Sequence, residues 1–369
     1  MINFGALVGG MTIPVVLRSD PFAAYMIPFT CFAVSLALFV AGSRRYVKMK
    51  PQGKVNIHFV PATCSALARC PPSLEASKRS RGGHYEDRFV DNCRTLLSVF
   101  PVNALALPFA VCYAQIGNGL SSQGLVMAPA GFVDAAWMTN FDCFGVLGAT
   151  AVLSFVLFPW LARHGKTWAL TTRFAIGSSI AVVALAYTIA LDYHIRSTFA
   201  ATGEQVSVAL QAPAYLLIGV GEVFTFSASY EAAFTIAPKS MKSLASAINI
   251  FLIGAMPQYI STLIINLEAA WFRTPDGITK LNTIDAYCEA KTIYFWWTIF
   301  SVALIGVLLN LLPPVQRFVA HTTALAKECN AEHEADGPTT AGRGAAVSVA
   351  DADDAKTTEA KTTEAATVL

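Results

Sequence analysis

Residues 211–236 read QAPAYLLIGVGEVFTFSASYEAAFTI. Nothing in that run is basic, and its only acids are Glu222 and Glu231. Its length suits a helix crossing a hydrocarbon core of roughly 30 Å. In lipid a single segment must satisfy its own backbone donors and acceptors, so helix is the state expected of it. Apolar runs of the same kind recur at 2–17, 21–43, 95–116, 141–161, 168–191, 243–267 and 291–312, the first being short for a crossing. The bulk composition agrees, with 54% hydrophobic and only 14% charged residues. A soluble globular domain carries about 25% charge, so this chain cannot present a polar face to water all round. The sequence predicts an all-α integral membrane protein with eight transmembrane helices.

Pro14, Pro28, Pro101, Pro108, Pro159, Pro213 and Pro257 fall in or at the ends of these runs, where they are expected to kink helices rather than abolish them. With residue 1 on the cytoplasmic side, only Arg18, Arg196, Arg273, Lys280 and Lys291 of the 26 Lys and Arg fall on the far side. The positive-inside rule then places both termini in the cytoplasm. Residues 1–43 form one helical pair, 44–94 a basic cytoplasmic linker and 95–318 a six-helix bundle. Residues 319–369, rich in Ala, Thr and acids and carrying Lys-Thr-Thr-Glu-Ala twice in tandem, read as a disordered cytoplasmic tail. The eight cysteines follow no framework spacing. Cys64 and Cys70, with His58 and His84, do not make a usual zinc pattern, so no metal is expected. A net charge of +2 gives no reason to expect nucleic acid.

Polar residues at depth carry the chemistry of a membrane protein. A carboxylate near the bilayer centre costs about 2.5–3.5 kcal/mol on insertion scales, which makes Glu222 and Glu231 the candidates. Nine residues apart, they stand on opposite faces of one helix and are not a carboxylate pair. Ser227, one turn before Glu231, makes that face polar. Glu231 reads as the functional acid, and Glu222, beside Gly219 and Gly221, as a structural one bonded to a neighbouring helix. Asn3, Tyr113, Gln115, Asn118, Asn140 and Asn249 are further polar residues at depth, each of a kind that bonds helix to helix. Gly5 and Gly9 form a small-xxx-small pair suited to close packing. No Lys or Arg is expected at mid-membrane depth. The sequence holds no H-E-x-x-H, G-x-S-x-G or phosphate-loop motif, so an enzyme is not expected.

Residues 219–243, G-V-G-E-V-F-T-F-S-A-S-Y-E-A-A-F-T-I-A-P-K-S-M-K-S, resemble the proton-dependent oligopeptide transporter family of the major facilitator superfamily. There a G-E-x-F helix with a second glutamate runs into A-P-x-S-M-K-S. The stretch from Met1 to Leu7 is similar to the M-I-N-x-G-x-L of the family's fifth helix. Arg45-Tyr46-Val47-Lys48 and Pro51-Gln52-Gly53 resemble the end of its sixth. Cys112-Tyr113-Ala114-Gln115, with Asn118 and Ser122-Gln123-Gly124, resembles a fungal-type seventh helix. The resemblance extends to about residue 318. It implies a partial major facilitator fold, helices five to twelve, in an N-terminally truncated chain that lacks the E-x-x-E-R motif.

By that resemblance Glu231 takes the peptide's amino group. Asn3 and Asn140 contact its backbone, and Ser227, Gln115 and Asn118 complete the substrate site. Ala114 stands where the family usually has an acidic or amide residue, and Asn249 where many members have a bulky aromatic, which implies altered coupling and side-chain selectivity. The activity implied is proton-coupled symport of di- and tripeptides by alternating access, without a cofactor and with protons as the coupling ion. The partners implied are small peptides, the lipid bilayer and either the missing N-terminal helices or a full-length homologue, in a plasma membrane. Two alternatives stand beside it: a non-transporting membrane partner, regulatory or relic fragment, and a related carrier of nitrate or another small solute.

Overall fold

The computed structural model describes residues 2–46, 55–67, 74–277 and 281–335. Pro51-Gln52-Gly53, Cys70 and the tandem repeat after residue 355 lie outside the described residues. Every extended element among the described residues is a helix.

Two helices come first, α1 (Ile2–Ser19) and α2 (Pro21–Gly42). Asp20 separates them and caps the second, accepting from the amides of Phe22 and Ala23, while Pro21 sits in the first turn where its missing N–H costs nothing. α1 packs on α2 and on α8 (Thr139–Val152), whereas α2 buries only Ala24. The stretch 44–94, read as a linker, contains α3 (Val55–Leu67) and the start of α4 (Asp87–Leu97).

The next crossing is broken. α4 and α5 (Val99–Ala104) are followed by α6 (Leu107–Tyr113) and α7 (Gly119–Leu125), with a bend of 53° at the break. Pro108 stands in the first turn of α6 and supplies the local cause. α8 runs through a π turn at Leu153–Leu157 into α9 (Phe158–Arg163). α10 (Leu170–Thr202) and α11 (Ala212–Ile236) are the longest packed pair. α12 (Lys242–Ile250) passes through a second π turn, Phe251–Ala255, into α13 (Met256–Leu267). Each π turn ends two residues before a proline, Pro159 or Pro257, whose ring cannot join a regular ladder. α14 (Ile284–Glu289) precedes α15 (Ile293–Leu311).

The core lies where α6, α10, α11 and α15 meet, around Phe109, Leu185, Tyr215, Ile218, Trp296 and Ile299. Among the described residues, six helices are long and apolar enough to cross a membrane, or seven if the bent pair is one span. The count of eight is therefore not confirmed; α1 (Ile2–Ser19), with Arg18 in its last turn, is not among these spans. Two boundaries also move. α10 continues eleven residues past the expected end at 191, to Thr202. α16 (Pro313–Ala335) carries helix into the stretch from 319 that composition predicts to be unfolded. The chain divides into a unit of Met1–Thr323 and another of Ala324–Leu369, and the described part of the second, to Ala335, is helical.

Candidate functional site

Two glycines set the site's geometry. A side chain on Gly145 of α8 would stand 2.5 Å from the Leu216 carbonyl of α11, and one on Gly219 would fall on the Asp142 carbonyl, 2.9 Å from Asp142 Oδ1. Their lack of a Cβ lets the two backbones touch, which brings Asp142 against α11 one turn from Glu222. Tyr215, Gly219, Glu222 and Phe226 follow one another at helical spacing and share a stripe of α11.

Four polar side chains lie near that stripe. Glu222, two residues from the midpoint of α11 and half-buried, lies near the Tyr113 hydroxyl. Tyr113 is held edge-on to Phe226, with ring centroids 5.1 Å apart. Asp142 is 8% exposed and lies close enough to Glu222, Tyr113 and Tyr215 for their charges to interact. Asp142 Oδ1 and the Tyr215 hydroxyl are buried and make no hydrogen bond among the described residues. No described Lys or Arg side chain acts on either carboxyl.

Glu231 lies elsewhere. Arg173, counted above with the cytoplasmic cations, sits in the first turn of α10 and gives Nη1 to the Glu231 carboxylate and Nη2 to Ser227 Oγ at 2.8 Å. The Arg173 side chain is 11% exposed and that of Glu231 59%. The pair lies within about 8 Å of the Ile236 end of α11, given 1.5 Å per residue. An amine arriving at Glu231 would have to displace a bound guanidinium.

The other predicted site residues do not converge. Asn140, 1% exposed, donates to the Gly10 carbonyl at 3.0 Å and to Trp137 O at 2.8 Å, so it joins α8 to α1. Gln115 is buried and donates to Val111 O at 2.9 Å and to Ser261 Oγ at 3.0 Å. Asn118 donates to Gln258 Oε1 at 3.1 Å. Asn3 is half-buried on α1. Asn249, read as a selectivity position, is fully buried, accepting from Asn103 Nδ2 at 2.8 Å and from Ser229 Oγ. These amides tie helices together. Asp142 escaped the sequence reading because it falls at the edge of an apolar run; the signal was its spacing of three from Gly145, which puts both on one helix face.

Comparison with known proteins places this geometry in context. The family model described as PTR2: POT family matches residues 1–281. A probable peptide transporter, ptr2, of Schizosaccharomyces pombe is 26% identical over 275 residues, covering 69% of this chain and 44% of the relative. The peptide transporter PTR_B of Candidozyma auris is 26% identical over 321 residues, covering 81% of this chain and 53% of the relative. Among solved structures, the crystal structure of an auto-inhibited POT family peptide transporter superposes with a TM-score of 0.63 at 21% identity, over 87% of this chain and 68% of that one. The chain spans about half the length of the curated relatives it matches. Its apolar helices and the family match make it a multi-pass membrane protein.

Proposed function

The chain belongs to the POT family, and from that premise we propose that it takes part in carrying short peptides across a membrane, with protons as the coupling ion. Transport would proceed by rocking of helix bundles about a site near the midplane, as in other carriers built from such bundles. The observation that carries the reading is Glu222: a carboxyl at the middle of a spanning helix, near the Tyr113 hydroxyl and a second carboxyl, with no described cation acting on it. A peptide ammonium or a proton brought there removes the repulsion between the two acids, and low surrounding polarity strengthens the attraction. Glu231 is the weaker candidate for that role because Arg173 already neutralises it. Its pairing suits a clamp between α10 and α11.

The test is dipeptide binding and counterflow by proteoliposomes that contain this chain alone. Glu222→Gln is expected to abolish both and Glu231→Gln to retain binding. Binding without counterflow would favour a non-transporting partner, and competition by nitrate but not by dipeptides would favour the small-solute alternative. Loss of binding in Glu231→Gln but not in Glu222→Gln would overturn the assignment.

A further inference from the structure

Away from the Glu222 site, α10 and α15 leave a groove of about 350 Å³ between them, lined by Thr172, Ala175, Ile176, Ser179 and Val183 of α10 and by Leu311 of α15. The α10 positions recur at helical spacing and so share one face, on which Thr172, Ala175 and Ser179 are the small members. Arg196 meets Thr292, and a Cβ on Gly306 would come 3.1 Å from Ser178 Oγ, so the two helices run antiparallel. Leu311 therefore falls at the Thr172 end. The lining offers a polar solute little: its side chains carry two hydroxyls, and that of Ser179 already donates to the Ala175 carbonyl at 2.8 Å.

Length, setting and charge identify the occupant. From Thr172 to Val183 the groove runs about 16 Å at 1.5 Å per residue. That is half of a hydrocarbon core of roughly 30 Å, the depth of one leaflet. Both walls belong to helices apolar enough to span. Trp160 in α9 and Trp168, two residues before α10, stand at the Thr172 end, as aromatics do at headgroup level. The free charge of that end has one sign. Lys166 is exposed just before α10, and Arg317 is exposed just after α15, where Gln316 folds back to the Asn310 carbonyl at 3.3 Å. Arg173 is already taken by Glu231. No acid occurs between Asp142 and Asp192 or between Glu289 and Glu328. We propose that the groove holds an acyl chain of one anionic phospholipid, its phosphate at the Thr172 end in the field of Lys166 and Arg317. Basic clusters beside spanning helices recognise such headgroups. The inference is independent of the peptide reading and of Glu222.

Native mass spectrometry of the full chain in detergent, titrated with phosphatidylglycerol or phosphatidylcholine of equal chain length, tests the proposal. The first phosphatidylglycerol is expected to bind about tenfold more tightly than phosphatidylcholine, and inorganic phosphate is expected not to displace it. Ser179→Leu fills the groove and is expected to weaken that first lipid about tenfold. Leu263→Phe, on the exposed side of α13 and away from the groove, is expected to leave it within about twofold. Lys166→Gln combined with Arg317→Gln is expected to bring the two lipids within about twofold of each other. Equal binding of the two lipids to the unmodified chain overturns the proposal, and this arm needs no variant to fold. Unchanged binding in Ser179→Leu, or an equal loss in Leu263→Phe, also overturns it, because the bound lipid would then lie elsewhere on the surface. Displacement by inorganic phosphate would make the site one for a free anion and overturns the lipid assignment.

Discussion

Arg18 Nη2 lies 2.6 Å from Asp134 Oδ2, tying the last turn of α1 to the loop that enters α8. The same nitrogen donates to the Phe132 carbonyl at 2.8 Å. Partial burial opposes ionisation of Asp134, but the Arg18 hydrogen bond, the Trp137 amide and the Arg18 charge outweigh it and hold the carboxyl below the usual aspartate range. A depressed folded pKa stabilises above the unfolded value, about 3.9, and that stabilisation disappears as pH falls through the folded one. Both side chains are at least a third exposed, so the pair is worth no more than about 1 kcal/mol at neutral pH. Thermal melts in detergent from pH 7 to pH 3 should show the unmodified chain losing stability below about pH 4 more steeply than Asp134→Asn. Parallel curves would remove the pair from the contacts that hold α1.

The α8–α11 crossing is the next point of attack. Gly219→Ala places a methyl group on the Asp142 carbonyl, and the helices must part to admit it. Overpacking of this kind costs about 1–3 kcal/mol. Gly148, on the same α8 but with nothing within 4 Å of an added Cβ, is the matched control. Gly148→Ala should be neutral or mildly stabilising, because alanine favours helix. Equal melting temperatures for the two variants would show that backbone contact does not set the crossing.

Asn249 separates selectivity from scaffolding. Its side chain accepts from Asn103 and Ser229, whose helices α5 and α11 it joins to α12. Removing it leaves buried donors to find other partners, and hydrogen bonds between membrane helices average about 0.6 kcal/mol each. Asn249→Ala is therefore expected to lower stability by about 1 kcal/mol while leaving the ranking of peptide affinities unchanged. A reordered ranking in competition binding would return Asn249 to the substrate pocket.

These contacts explain how much of the molecule could be read from its residues. The spans were legible because a long apolar run in lipid has one way to satisfy its backbone. Arg173, Asp142 and Asp192 escape a hydropathy reading for a shared reason: each sits near where an apolar run begins or ends. In the structure each lies within a helix, near its start or well before its end. Arg173 and Asp192 have partners that make the burial tolerable, Glu231 for one and Arg196 with Tyr287 for the other. Those partners are 58, 4 and 95 residues away. Only the first and last depend on tertiary packing, and periodicity within one helix carries no trace of them. Asn140 and Gln115 show the converse. Both are buried, and the packing of α8 on α1 and of the end of α6 on α13 decides that they bond helices.

Asp192 supplies the strongest stability prediction. It is fully buried in α10, and its carboxylate receives Arg196 Nε at 2.7 Å, the Tyr287 hydroxyl at 2.5 Å and Gln123 Nε2 at 3.2 Å. Arg196 then reaches the carbonyls of Cys288 and Ala290 at 2.8 and 2.9 Å and Thr292 Oγ1 at 2.6 Å, so one guanidinium fastens the segment between α14 and α15 to α10. Removing one partner of a buried pair leaves an uncompensated charge and costs about 3–5 kcal/mol. Arg196→Leu should therefore be severely destabilising. Adding Asp192→Asn to it should restore part of the loss, since the orphaned charge is gone while the Tyr287 and Gln123 contacts can persist. Guanidinium or thermal unfolding of the two single variants and the double variant measures the coupling. Strictly additive losses would mean that the carboxylate and guanidinium do not act as a pair, and that the loop is fastened by its backbone contacts alone.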